Sequence, residues 1–329
     1  MGYVPILDGL FKVIEEKRAV KLHYLPKKIS IEPGNICNLR CPLCPTNDVE
    51  NRDIPKSMMS LQTFQTIFDK VKPFVLTLDF FNWGEPFLNK DIGLFVKYVK
   101  EQKPKVRIVL DSNFNIISDE QIDQIVRYGL DVIHVSCDGA TQPVYEQYRI
   151  GGNIERVIAN MRKLVAKKKE LKSDKLYVEW KYLVFKHNQH EVGLARDKAK
   201  EIGVGFSASG MRINCGKEIF EDINTSVKRD KKWIPDDPAY NNYKIIPEQI
   251  KRSCPKPWKT LTVDWNGDVV PCGALYDCAK YNYGNLVKQS FDEVWNGEKY
   301  LEARRVILSK KDKAGVVCSI CKSNGYQFF

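Results

Sequence analysis

From about residue 28 to residue 210, short β-branched or apolar runs alternate with helical patterns. "KKISIEP", "FVLTLDFF", "KVRIVLDSN", "LDVIHVSCDG" and "KLYVEWKYLVFK" read as strands, and "VGFSASG" adds a sixth. Helix-like segments follow them, the first being "SLQTFQTIFDKVKP" with Ser60 as its N-cap. Strands joined through helices pair in parallel, by right-handed crossovers. Five or six such units are too few for a closed eight-unit barrel. The expected fold class is α/β, a partial (β/α)6 TIM-like barrel. Chemistry in such folds gathers on loops after the C-terminal strand ends. The loops holding "NWGEP", "DSN", "SCDG" and a cysteine run all occupy that position.

The cysteine run is "ICNLRCPLCP", which sets Cys37, Cys41 and Cys44 close together. In a chain with no export signal, clustered thiols read as metal ligands or catalytic groups rather than disulfides. A closed structural zinc site takes four ligands, commonly two separated pairs. Iron–sulfur clusters are also held by cysteine thiolates, and three of them leave one iron of a cubane open. The chain holds ten cysteines: three near the start, Cys137 and Cys215 alone in the middle, and five from Cys254 onward. Two separate cysteine sites are expected. Cys137 and Cys215 read as buried structural thiols.

The 329 residues suffice for a barrel-sized domain plus a small one. Four segments are expected. They are an N-terminal helical segment (1–27), the barrel (28–210), a polar, Pro- and Asn-rich linker (211–250) folding over the barrel mouth, and a compact module (251–329). In that module "KTLTVDWNGDVVPC" reads as a hairpin turning at Asn266-Gly267, and "SFDEVWNGEKYLEARRVIL" as one helix. No stretch approaches the roughly 18 apolar residues of a membrane span. The N-terminus lacks the features of a secretory signal, so the expected location is cytoplasmic. A net charge of +11 raises the question of nucleic acid. No recognition motif accompanies that charge, and "RKLVAKKKELKSDK" reads as the solvated face of a helix.

Cys-x3-Cys-x2-Cys on the loop after the first strand of a βα fold resembles the radical S-adenosylmethionine (SAM) superfamily, and the resemblance covers nearly the whole chain. It implies a 4Fe-4S cluster on Cys37, Cys41 and Cys44, with SAM chelating the open iron. "WGEP", residues 83 to 86, is similar to the family's Gly-Gly-Glu-Pro segment. Trp83 departs from that pattern, while Gly84, Glu85 and Pro86 keep it. The implied role of this segment is to bind the SAM amino group, a charge-assisted bond. Ser112 and Asn113 are implied toward the ribose, and Ser136 and Arg149 toward the SAM carboxylate. Leu43 is implied as an adenine contact.

Cys254, Gly267 and Cys272 match the family's Cys-x9–15-Gly-x4-Cys element, which opens the SPASM and shorter twitch extensions. "CSIC" supplies Cys318 and Cys321. With one such final pair, the resemblance implies a twitch-sized module and a single auxiliary 4Fe-4S cluster on Cys254, Cys272, Cys318 and Cys321. Cys278 is an alternative to one of them. Four thiolates with a late Cys-x2-Cys pair also suit a zinc ribbon.

The implied chemistry is reductive cleavage of SAM by an electron from a flavodoxin or ferredoxin-like reductant. The resulting 5′-deoxyadenosyl radical abstracts a substrate hydrogen. With the auxiliary cluster accepting an electron, the expected outcome is net oxidation of a small polar substrate such as a sugar, cyclitol or nucleotide-sugar. Only 36 residues precede Cys37, short of a winged-helix leader-peptide domain, which favours a small molecule. Peptide or protein maturation, radical epimerisation and C–C bond formation are the alternatives. A non-catalytic iron–sulfur electron carrier or zinc scaffold is the alternative from another class. No general base is assigned, with Asp268, Asp277, Lys259 and His187 as candidates.

Overall fold

A computed structural model describes residues 19–47, 51–211, 223–243, 254–309, 311 and 313–321. Six strands follow the expected order: β1 (Lys28–Ile31), β2 (Thr77–Phe80), β3 (Arg107–Ser112), β4 (Val132–Ser136), β5 (Tyr177–Val184) and β6 (Gly205–Gly210). Each pairs in parallel with its sequence neighbour. Four long helices return the chain between them: α1 (Leu61–Val71), α2 (Ile92–Gln102), α3 (Asp119–Arg127) and, after a short α4 (Gln142–Tyr145), α5 (Ile154–Glu170). A further helix, α6 (Val192–Ile202), leads to β6. The partial (β/α)6 barrel is therefore present. Ser60 does cap α1, its hydroxyl accepting from the Thr63 amide.

The strands divide their side chains between two different environments, as strand pleating requires. The helix-covered face is apolar: Ile108, Leu110, Ile133, Val135, Trp180, Tyr182 and Val184 are buried there. Phe64 of α1 stacks on Phe95 of α2 at 4.2 Å, and Phe80 of β2 meets Phe64 edge-on at 5.5 Å. Each such burial stabilises by about 1.5–3 kcal/mol. The concave face is polar. Ser30, Asp79, Asp111, His134, Glu179 and Lys181 share it, joined by ion pairs and hydrogen bonds. A closed barrel would fill this space with branched apolar residues; this one holds charge.

The C-terminal segment extends the same sheet. After α7 (Ile223–Arg229) and α8 (Lys256–Lys259), β7 (Thr260–Val263) pairs in parallel with β1, and β8 (Val269–Val270) pairs antiparallel with β7. β7 thereby covers the open edge of β1. The loop between β7 and β8 is longer than a two-residue turn. It spans residues 264 to 268, closed by the Asp268 carbonyl accepting from the Asp264 amide, and Gly267 takes a φ of +89°.

The expected single helix over residues 290–308 is two, α9 (Phe291–Trp295) and α10 (Glu298–Ser309), followed by α11 (Val317–Ile320). The break falls at Asn296, whose side chain bonds both the amide and the carbonyl of Leu22. Tertiary contact overrides helix continuation there. Of the N-terminal segment, residues 19–27 form no helix and pass over the C-terminal region; the rest lies outside the described residues. The described part of 211–250 packs on the cysteine loop. Ile234 and Tyr243 join Leu39, Cys41, Tyr148 and Phe185 in a second apolar cluster.

Candidate active site

The cysteine loop follows β1 directly and is braced from three directions. The Arg40 amide donates to the Ile150 carbonyl at 3.0 Å, tying the loop to the segment after α4. The Cys37 sulfur accepts from the Leu39 amide at 3.5 Å and from Asn113 Nδ2 at 3.8 Å. Arg149 Nη1 lies 3.9 Å from the Cys41 sulfur. Cys44 Sγ sits 3.2 Å from the Thr46 hydroxyl, which donates in turn to the Trp83 carbonyl. Burial pushes the Cys37 thiol up to about 12 and the Cys41 thiol up to about 11, with Arg149 opposing the rise at Cys41. Bound metal reverses this, because a coordinating thiol is deprotonated outright. Donors already aimed at sulfur are what a thiolate–iron site uses to hold its charge. The residues fit such a cluster.

The loop after β2 lies against the cysteine loop. The Glu85 amide donates to the Ile36 carbonyl at 2.8 Å, and a Cβ at Gly84 would sit 1.8 Å from the Gly34 carbonyl oxygen. Only glycine allows that approach. Trp83, the departure from the family pattern, sends its indole to the C-terminal segment. Its Nε1 donates to the Leu275 carbonyl at 3.0 Å, and its ring meets Tyr276 edge-on at 5.9 Å.

Glu85 is buried and engaged by three donors: Ser112 Oγ at 2.7 Å, the Asn113 amide at 2.8 Å and the Phe87 amide at 3.1 Å. Burial raises its pKa, and those three bonds oppose the rise. The carboxylate therefore staples the β2 loop to the end of β3. Pro86 opens the 3-10 turn behind it and does not line the cavity. Arg149 also has an internal partner: Nε donates to Asp138 Oδ2 at 2.6 Å.

A cavity of about 440 Å³ opens beneath these loops. It is lined by the three cysteines together with Leu43, Gly84, Glu85, Ser112, Asn113, Ser136 and Arg149. All the residues expected to contact SAM except Pro86 thus converge on one space. Asp111, Lys181, Ser207 and Ser209, which sequence reasoning missed, line the same space. Their signal was strand parity: Asp111 lies two residues before Asn113, and Lys181 is on the polar half of the alternating "YVEWKYLV". None of Asp268, Asp277, Lys259 and His187 lines the cavity. His187 is instead held between Phe185 and Trp233.

Cys254, Cys272, Cys318 and Cys321 are near neighbours. Burial pushes Cys272 up to about 12, and the neighbouring Cys254 and Cys321 add to the rise. Cys318 is raised well above its ordinary value by burial first, then by Cys272, Cys254 and Cys321, with its bond to Tyr283 opposing the rise. Cys278 has a different set of neighbours. It is buried against Asp264, with Glu32 nearby. Among the described residues, no three Cys, His, Asp or Glu side chains are drawn to the spacing that holds a single metal ion. Cys137 is buried, as expected; Cys215 lies outside the described residues.

The family model of the radical SAM superfamily matches residues 31–178, and that of an iron–sulfur cluster-binding domain, SPASM, matches residues 254–322. The chain belongs to the radical SAM superfamily and carries a C-terminal SPASM auxiliary-cluster domain. It is a radical SAM enzyme whose cofactors are SAM, a SAM-binding 4Fe-4S cluster and an auxiliary iron–sulfur cluster. Over 337 residues it is 23% identical to the AdoMet-dependent heme synthase of Methanosarcina barkeri (strain Fusaro / DSM 804), covering 92% of each chain. It is 20% identical to the S-adenosyl-L-methionine-dependent 2-deoxy-scyllo-inosamine dehydrogenase of Niallia circulans, covering 91% of this chain and 94% of that one. Streptococcus suis SuiB bound to precursor peptide SuiA shares the fold, with a TM-score of 0.64 at 14% identity over 99% of this chain and 76% of that one. Among the described residues, no helix is long and apolar enough to cross a membrane.

Proposed function

We propose that this chain oxidises a small polyhydroxylated substrate, of the sugar, cyclitol or nucleotide-sugar kind, by a net two electrons. The observation that carries this reading is the polar floor of the cavity. Lys181 Nζ and Asp111 Oδ2 stand 3.3 Å apart there, with Ser136, Ser207 and Ser209 around them. A cation and a carboxylate side by side offer a donor and an acceptor to neighbouring hydroxyls, whereas an apolar side chain would desolvate both and give neither a new partner. The Niallia circulans relative, by its name a dehydrogenase of a deoxyinosamine, supports the same reading.

When bound, the first cluster and SAM supply a carbon-centred radical that removes one hydrogen atom from the substrate. Cys37, Cys41 and Cys44 would hold that cluster, and Cys254, Cys272, Cys318 and Cys321 the auxiliary one that takes the remaining electron. Gly84 brings the β2 loop backbone close to the cysteine loop, while Glu85 fixes Ser112 and Asn113 at the rim. Ser136 and Arg149 face the carboxylate side of the SAM pocket, and Leu43 the adenine side. Tyr148, Phe185 and the 223–243 segment cover the cysteine loop and exclude water. A flavodoxin or ferredoxin-like protein is the proposed electron source, in the cytoplasm.

Anaerobic reconstitution with iron and sulfide, then dithionite and SAM, tests the reading. 5′-Deoxyadenosine is expected, and deuterium from a C-deuterated cyclitol or sugar should enter it. Cleavage of SAM without such transfer, but with transfer from a labelled peptide, would overturn the small-molecule reading. No 5′-deoxyadenosine under any condition would overturn catalysis altogether.

A further inference from the structure

Two buried phenols lie beside the second thiol set, and a buried guanidinium lies behind one of them. Tyr283 is held in place by its amide, which donates to the Val269 carbonyl at 2.7 Å, and by edge-on packing against Tyr300 at 5.1 Å and 90°. Its hydroxyl lies 3.8 Å from Cys318 Sγ. Tyr300 is fully buried near Cys272 and Cys318, and its hydroxyl has no partner among the described residues. Behind it, Arg304 is fully buried with its guanidinium carbon 5.1 Å from the Tyr300 ring centre and 4.5 Å from that of Trp295. A buried hydroxyl with no acceptor favours additional negative charge close by.

We propose that Tyr283 sets the reduction potential of the auxiliary cluster by donating its hydroxyl hydrogen bond to the Cys318 sulfur. The inference rests on the reading that Cys318 is a ligand of that cluster. A metal-bound cysteine has lost its proton, so the direction of the bond is fixed: the phenol donates and the sulfur accepts. Hydrogen bonds to ligand sulfur stabilise the reduced, more negative cluster and raise its potential. Deep burial acts the other way, because low dielectric disfavours added charge. The Tyr283 donor therefore offsets burial and makes the cluster a better acceptor for an electron from the substrate. Tyr283 is a positioning residue; it touches no reacting atom.

The test uses the full-length chain with Cys37, Cys41 and Cys44 replaced by alanine, reconstituted so that only the auxiliary cluster is read. Potentiometric titration followed by electron paramagnetic resonance compares it with the same chain carrying Tyr283→Phe. Iron and sulfide content should be unchanged, and the potential should fall. The expected size is about tenfold in the reduced-to-oxidised ratio at fixed applied potential, or about 59 mV for a one-electron couple. An unchanged potential at full iron content overturns the inference. A readout on the unsubstituted tyrosine needs no variant: hyperfine spectra in H2O and D2O should show an exchangeable proton coupled to the reduced cluster, and its absence also overturns the inference. Cys318→Ala separates the underlying reading, because full auxiliary iron in that variant would show that Cys318 is not a ligand.

Discussion

Arg149 and Asp138 form a buried ion pair, Nε to Oδ2 at 2.6 Å, whose guanidinium also reaches the Cys41 sulfur at 3.9 Å. The other Asp138 oxygen accepts from the Leu183 amide at 2.7 Å, so the pair ties the cysteine loop to the ends of β4 and β5. Arg149→Met would leave the Asp138 charge buried and unpaired. The expected cost is about 3–5 kcal/mol of stability, with lower iron incorporation at the first site. Thermal melting and iron analysis check both. Equal melting temperatures would remove the pair from any structural role.

Trp83 anchors the SAM-site loop to the C-terminal segment. Trp83→Phe keeps a ring against Tyr276 and loses the bond to the Leu275 carbonyl, an expected loss of about 1 kcal/mol. Trp83→Gly restores the family pattern yet removes both contacts, so it should cost about 3 kcal/mol or more. Denaturant titration of the two variants gives the comparison. A glycine variant as stable as the parent would show that the indole carries no anchoring energy.

On the proposed function, Lys181 and Asp111 serve the substrate rather than SAM. Lys181→Met should lower substrate-dependent product formation by about 100-fold, the scale of a lost positioning contact. SAM cleavage in the absence of substrate should stay within about threefold. Product and 5′-deoxyadenosine measured in one assay separate the two effects. A parallel fall in both would place Lys181 in the SAM site instead.

Glu32 at the end of β1 and Asp264 at the end of β7 are a buried carboxyl pair, and both pKa values are raised, first by burial. The folded chain therefore holds a proton that the unfolded chain releases near pH 4. The stability this pair contributes is full below that range and is lost as pH rises through the raised values. Glu32→Gln keeps an acceptor for the Trp83 amide and a donor for Asp264, without the Glu32 titration. Its melting temperature should fall less than the parent's between pH 5 and pH 8. Identical pH profiles in scanning calorimetry would refute the shared proton.

What the sequence alone determined was whatever depends on near neighbours in the chain. Alternating strand and helix periods established the β1–β6 order, the Ser60 oxygen beside the Thr63 amide capped α1, and three cysteines within eight residues marked the metal loop. Tertiary structure decided the rest. "SFDEVWNGEKYLEARRVIL" has unbroken helical periodicity, yet Asn296 satisfies the Leu22 backbone from far along the chain, and the helix parts there. Trp83 looked like a damaged motif until Leu275 and Tyr276 were beside it. Asp111 and Lys181 sit on different strands, 70 positions apart in the numbering, and strand parity shows only that each faces inward. That they face one another, under the loop that Cys37 begins, follows from a sheet whose strands converge in space. A linear pattern carries no distance between residues it does not make neighbours.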